Sequence, residues 1–163
     1  MADRIVLDSG PLVALARADA LDVLAAFPDS FVAPLQVRFE LEAGAERGHV
    51  VIDTPSVVYL PLADALNPLA LAELGAGEAA VIQHALEQRI GVVGIDERKG
   101  RRAARAVGLT VTGTLGLLAR AKTLGVFLRC ARLSNGCRRV AFGLTKTSLN
   151  GSSCRSANEN YVA

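Results

Sequence analysis

The chain has 163 residues, a length that suits one domain with a real core. It is 51% hydrophobic without a single Trp, and no apolar run reaches the ~18 residues needed to cross a bilayer, so a membrane-spanning reading is excluded. The formal charge of +2 hides a division: residues 1–125 carry 12 Lys and Arg against 15 Asp and Glu, whereas residues 126–163 carry six against one.

Met1 leads through Asp3 and Arg4 straight into an apolar run, Ile5-Val6-Leu7, that closes on Asp8. Such a run predicts a buried parallel strand, with no signal peptide before it and a cytoplasmic location as the default. Ser9-Gly10-Pro11 predicts a helix start, with Ser9 as N-cap and Pro11 in the first turn. Leu12 and Leu15, then Leu21 and Leu24, have helical spacing on either side of a break near Asp19. Phe31-Val32-Ala33 predicts a second strand. Pro34 then opens a helix with Leu35, Val37 and Leu41 facing the core. Between residues 44 and 67, Val50-Val51-Ile52 and Val57-Val58-Tyr59-Leu60 read as short strands or extended connections, interrupted by Pro55 and Pro61.

Gly75-Ala76-Gly77-Glu78 leads into a helix through about Gln88, with Ala80, Val81, Ala85 and Leu86 inward. Residues 91–95 predict the next strand, ending on Asp96. Residues 97–106 form a basic helix carrying Arg98, Lys99, Arg101, Arg102 and Arg105. Leu109-Thr110-Val111 is a last strand. Gly113-Thr114-Leu115-Gly116 begins a helix with Leu117, Leu118, Ala121 and Leu124. Strands alternating with helices predict an α/β fold of three layers, α/β/α, around a central parallel sheet. It is a single domain over residues 1–125. Residues 126–163 are expected to be an irregular, basic extension containing Cys and Ser, partly disordered, with Leu128, Leu133 and Val140 spaced for one more helix. Cys130, Cys137 and Cys154 fit no common zinc spacing and read as free thiols.

The acids carry the chemistry. Asp8 and Asp96 end apolar strands, and Glu78 opens a helix. A charge beside a core is costly to desolvate unless it is paired or used. In parallel α/β folds, ligands bind outside the C-terminal strand ends, and convergent carboxylates there suit a divalent cation. Each acid also has a plainer reading. Asp8 and Asp96 can cap the helices that follow them, and Glu78 is favoured at a helix N-terminus by the helix dipole. Glu40 can be a solvated helix residue.

Residues 4–125 resemble a PIN domain, a family of metal-dependent ribonucleases. The resemblance rests on Leu7-Asp8-Ser9-Gly10-Pro11 at the first strand and on Pro34-Leu35-Gln36-Val37-Arg38-Phe39-Glu40 in the helix after the second. Gly77-Glu78-Ala79, Ile95-Asp96-Glu97-Arg98 and Gly113-Thr114-Leu115-Gly116-Leu117-Leu118 complete it. It implies a pocket of four catalytic acids, Asp8, Glu40, Glu78 and Asp96, in which Asp8, Glu78 and Asp96 hold Mg²⁺ or Mn²⁺. The last three phrases most resemble one prokaryotic branch of the family, of predicted nucleic-acid-binding proteins, which often has Asp-Asp-Arg where this chain has Asp96-Glu97-Arg98; glutamate keeps the charge on a longer arm. Ser9, Glu97 and Thr114 are additional candidates. Arg98, Lys99, Arg101 and Arg102 are candidate contacts to an RNA backbone, or simply a solvated face.

The resemblance implies an endoribonuclease, the toxin of a toxin–antitoxin pair of the VapBC kind, dimeric and blocked by a small antitoxin protein. The alternative is a PIN-like protein that binds nucleic acid or a partner with little catalysis. Other doubly wound functions lack their residues. A receiver domain wants adjacent acids at the first strand, and a haloacid-dehalogenase-type phosphatase wants Asp-x-Asp, where Gly10 stands at the second place. No Gly-rich phosphate loop follows the first strand. His49 and His84 have no ligand spacing and read as surface or packing residues.

Overall fold

The computed structural model describes residues 4–125. The expectations for the C-terminal extension and its cysteines therefore lie outside the described residues. Five parallel strands, β1 (Arg4–Leu7), β2 (Ser30–Pro34), β3 (Val57–Leu60), β4 (Val92–Gly94) and β5 (Thr110–Thr112), form one sheet in the order β3-β2-β1-β4-β5. Six α-helices accompany them among the described residues: α1 (Ser9–Arg17), α2 (Leu35–Glu46), α3 (Pro68–Glu73), α4 (Ala76–Glu87), α5 (Arg98–Ala106) and α6 (Thr114–Thr123).

The chain winds outward from β1 to β3, then returns to lay β4 on the other side of β1. The helices cover the sheet and give three layers. Helix α1 packs against α2 and α6, and α4 packs against β1, β2, β4, α2 and α5. Ile5, Val6 and Leu7 of the central strand are buried, as its continuous apolar run predicts. Phe31, Leu12, Leu15 and Leu24 are among the largest side chains sealed in the core. Each contributes about 1.5–3 kcal/mol by leaving water. No helix among the described residues is long and apolar enough to cross a membrane.

Several local expectations are corrected. Asp8, not Ser9, is the N-cap of α1, so Ser9 is its first helical residue. The break expected near Asp19 is present, with Asp19 at a left-handed φ of 52°, but the helical segment after it, Leu21–Ala26, is a 3-10 helix. Residues 50–52 make no strand, whereas Val57–Leu60 pairs with β2. Leu86 is about half exposed, because α4 turns its Ala79, Val81, Ile82 and Ala85 to the core and leaves Leu86 on the rim of a groove beside α5. His84 is fully buried, and burial pushes its pKa down, which keeps the imidazole neutral.

The sequence reading has no counterpart for α3. It is short, and it is held by contacts rather than periodicity. Asn67 caps it by accepting the Leu69 N–H at 2.9 Å, with Pro68 in the first turn. The segment before it is strapped to α4. Glu87 accepts the Ala63 and Asp64 N–H groups at 2.9 and 3.3 Å, and Gln83 donates to the Asp64 and Ala65 carbonyls. This strap brings Ala72, Glu73 and Leu74 to the rim of the site described next.

Candidate active site

The sheet order reverses between β1 and β4, and ligands bind outside the C-terminal strand ends at such a switch point. Leu7 pairs with Gly94, and the Asp8 N–H donates to the Gly94 carbonyl at 2.9 Å. Asp8 therefore emerges beside the end of β4, two residues before Asp96. Oδ2 of Asp8 and Oδ2 of Asp96 both lie within 4 Å of the point where a β-carbon on Gly10 would stand.

Asp8 is 5% exposed, and its Oδ1 is buried with no hydrogen-bond partner. Although it occupies the N-cap position, its side chain completes no capping bond. Its pKa is raised to about 7, first by burial and then by the negative charges of Glu40 and Glu78; the nearby Ser9 and Gly10 amides pull it part of the way back. A helix cap alone accounts for neither the burial nor the orphaned oxygen.

Glu78 sits in the first turn of α4. Oε2 accepts the Gly75 N–H at 3.3 Å, half of a capping box, since Gly75 has no side chain to complete it. Oε1 is buried and unpartnered, facing Gly100 in the first turn of α5. Burial raises the Glu78 pKa, helped by the charges of Glu97 and Glu40, while the Gly75 and Gly100 amides oppose it. Glu40 is exposed but anchored: Oε1 accepts the Gly77 N–H at 2.9 Å, tying α2 to the N-terminus of α4.

Asp96 does not cap α5; Glu97 occupies that position. The Asp96 carboxylate reaches across to α6 instead. Oδ1 accepts the Thr114 N–H at 2.8 Å and Oδ2 accepts the Thr114 hydroxyl. Asp8, Ser9, Glu40, Glu78 and Glu97 line one pocket together with Glu73, Gly75 and Lys99, while Asp96 and Thr114 stand at its side, beyond Gly10. Arg98, Lys99 and Arg102 are exposed on α5. Arg101 is turned inward, where Nη1 donates to the Ile95 carbonyl at 2.9 Å and the Thr112 carbonyl at 3.4 Å.

Sequence reasoning missed the glycines that shape the site. A β-carbon on Gly77 would lie 2.5 Å from Glu40 Oε2, one on Gly100 2.6 Å from Glu78 Oε1, and one on Gly113 2.6 Å from Asp96 Oδ1. Three of the four acids thus rest against a bare Cα. The signal in the sequence is a glycine within a helical stretch, which costs about 1 kcal/mol against Ala and asks for a reason. Glu73 was missed because it belongs to α3.

A family model with the description DUF3368, PIN domain, matches residues 4–136. The chain belongs to the PIN domain family. The match covers every element that carries an acid of the site, and PIN domains are a nuclease fold that typically uses divalent metal ions. Among solved structures, a PilT N-terminus domain protein from the hyperthermophilic archaeon Sulfolobus solfataricus P2 is similar, with a TM-score of 0.50 at 16% identity over 72% of this chain and 92% of that one. At that identity the likeness speaks for the fold. No curated protein matches.

A divalent cation fits the PIN domain's pocket. The donors are carboxylates, the ligand class that Mg²⁺ and Mn²⁺ prefer, and two buried carboxylate oxygens lack a partner. Among the described residues no group of three or more such side chains is arranged to hold a metal ion, so an ion bound here would keep much of its water shell.

Proposed function

We propose that this PIN domain is a metal-dependent endoribonuclease that hydrolyses RNA phosphodiester bonds in the cytoplasm, as the toxin of a toxin–antitoxin pair of the VapBC kind. The observation that carries it is the buried Asp8 carboxylate, held at the strand switch point with an unpartnered oxygen and facing the charges of Glu40 and Glu78.

Asp8, Glu78 and Asp96 would hold Mg²⁺ or Mn²⁺, with Glu97 at the mouth as an additional ligand. When bound, such an ion neutralises charge on the phosphoryl oxygens and makes a water more acidic. Thr114 fixes the Asp96 carboxylate at the side of the pocket. Glu40 fixes the first turn of α4 and so places Glu78. Ser9 lines the pocket, where its hydroxyl would donate to a substrate oxygen. The exposed Arg98, Lys99 and Arg102 would bind the RNA backbone by charge.

The adjacent surface supports the proposed antitoxin partner. A groove between α3, α4 and α5 exposes Leu69, Leu86 and Val107 and shares Glu73, Leu74 and Lys99 with the acidic pocket. An apolar surface of this kind suits a protein partner, here a small antitoxin seated against the pocket, and the enzyme is proposed as a homodimer.

One observation favours a second reading, a catalytically weak protein that binds nucleic acid or a partner: both Asp96 oxygens are engaged by Thr114. Mn²⁺ titration of the purified protein against an RNA panel separates the two. Saturable cleavage lost in Asp8→Asn and Asp96→Asn supports the nuclease; RNA binding that needs no metal, with no cleavage, supports the binder.

A further inference from the structure

We propose that Arg101 is a positioning residue, which sets the Asp96–Thr114 contact by bracing the point where β4 and β5 separate. The proposal rests on the nuclease reading for its catalytic consequence, but its structural core does not.

Paired strands hold each other only as far as their ladder runs. The last rung between β4 and β5 is the Ile95 N–H donating to the Thr112 carbonyl at 3.1 Å. Beyond it the two chains diverge, one through Asp96 into α5 and the other through Gly113 and Thr114 into α6. Arg101 enters this fork from α5. Its Nη1 takes the Ile95 carbonyl, immediately before Asp96, and shares the Thr112 carbonyl, two residues before Thr114. Gly113 passes through the gap, and a β-carbon there would stand 2.6 Å from both Arg101 Nη1 and Asp96 Oδ1. One cation therefore bridges the carbonyls on both sides of the fork, where no further backbone–backbone bond joins the two chains among the described residues. That width determines whether Asp96 reaches both Thr114 donors. A surface arginine reserved for RNA would not be turned inward onto two main-chain carbonyls.

The test uses Arg101→Met, which keeps the stem and removes the donors, and Arg101→Lys. A single nitrogen makes both bonds, so a lysine ammonium can replace it. The first readout is hydrogen exchange of the Thr114 amide in the full chain without metal. Mn²⁺ affinity and the separate kcat and KM for RNA follow. Arg101→Met is expected to exchange the Thr114 amide about tenfold faster while the Val93 amide in the sheet stays protected, with weaker Mn²⁺ binding and a fall in kcat at unchanged KM. Arg101→Lys restores these.

Wild-type Thr114 protection in Arg101→Met, with only a raised KM and a shallower salt dependence, would identify an RNA backbone contact and overturn the proposal. So would a folded Arg101→Lys variant that fails to restore Thr114. Should Arg101→Met lose its fold, Arg101→Gln takes its place; if both unfold, Arg101 is a general stabiliser of the sheet and the assignment fails. Absence of Mn²⁺ binding and cleavage in the wild type would sink the nuclease reading alone, since Thr114 exchange is read without either.

Discussion

Thr114 gives both of its donors to one carboxylate, the backbone N–H to Oδ1 of Asp96 at 2.8 Å and the hydroxyl to Oδ2. The contact joins the end of β4 to the start of α6. Charge-assisted bonds of this type are about twice as strong as neutral ones. Thr114→Val, which keeps the shape and the N–H but removes the hydroxyl, is expected to cost about 1–2 kcal/mol of stability in urea unfolding. It is also expected to lower kcat about tenfold, a loss of about 1.4 kcal/mol in the transition state. Thr114→Ser retains both. Equal kcat in the Val and Ser variants would remove the hydroxyl from the mechanism.

The raised pKa of Asp8 has a consequence for stability with a definite sign. An unfolded Asp titrates near 3.8 and the folded one at about 7, so between those values the native state holds a proton that the unfolded state has lost. Stability is complete below the lower value and falls as pH rises through the upper one, by up to about 4 kcal/mol. Asp8→Asn is therefore expected to flatten this slope and make the metal-free protein more stable at pH 8, while abolishing RNA cleavage. Thermal melts of both proteins from pH 4 to 8 check it. Parallel pH profiles would disprove the assignment.

The same carboxyl must lose its proton before it can hold a cation. Mn²⁺ affinity is expected to rise from pH 6 to 8, with proton release on binding, and Glu78 adds to the effect because its pKa is also raised. Calorimetry in two buffers of different ionisation enthalpy measures that release. Affinity independent of pH would mean that Asp8 is not a ligand.

Gly100→Ala separates helix propensity from space. In an unhindered helix interior the change favours folding by about 1 kcal/mol. Here the added carbon would stand 2.6 Å from Glu78 Oε1 and 2.9 Å from Ile95 Cγ2, so the Glu78 carboxylate must move. We expect at least tenfold weaker Mn²⁺ binding, a change of about 1.4 kcal/mol, with little gain in Tm. Wild-type affinity would show that the position of Glu78 is not critical.

Arg120 tests the scaffold away from the site. It pairs with Asp29 at 2.7 Å and lies over the Phe27 ring, and the Asp29 side chain is only 3% exposed. Arg120→Ala leaves that carboxylate without its partner and, because the arginine is itself half exposed, is expected to cost about 1–3 kcal/mol. Cleavage well below the new Tm should be unchanged. A loss under 1 kcal/mol in denaturant titration would contradict this account.

Much of the site was legible in sequence because its chemistry interrupts a pattern. Ile5-Val6-Leu7 and Val93-Gly94-Ile95 are buried runs, and an acid at the end of each is conspicuous. Glu78 is visible through its place at a helix start. Glu40 was legible only through resemblance, since an exposed glutamate in a helix looks like any other, and its bond to Gly77 joins residues far apart in sequence. The role of Arg101 is hidden for the opposite reason. Among four neighbouring cations nothing in the sequence marks the one that turns inward, because its partners are carbonyl oxygens common to every residue. Helix α3 was lost to its brevity, and Leu86 was misplaced because helical spacing does not say where the covering layer stops.

The pairing of Leu7 with Gly94 has a bearing on when the site is first assembled. Asp8 is made well before the strand that brings Asp96 beside it, which emerges only after most of the domain. Until β4 docks, β1 has an open edge and Asp8 stands without Asp96 beside it. On the proposed nuclease reading, a chain whose sheet is incomplete would have no working site. Completion of the sheet would then leave it the interval of its last folding step in which to be captured by a neutralising partner.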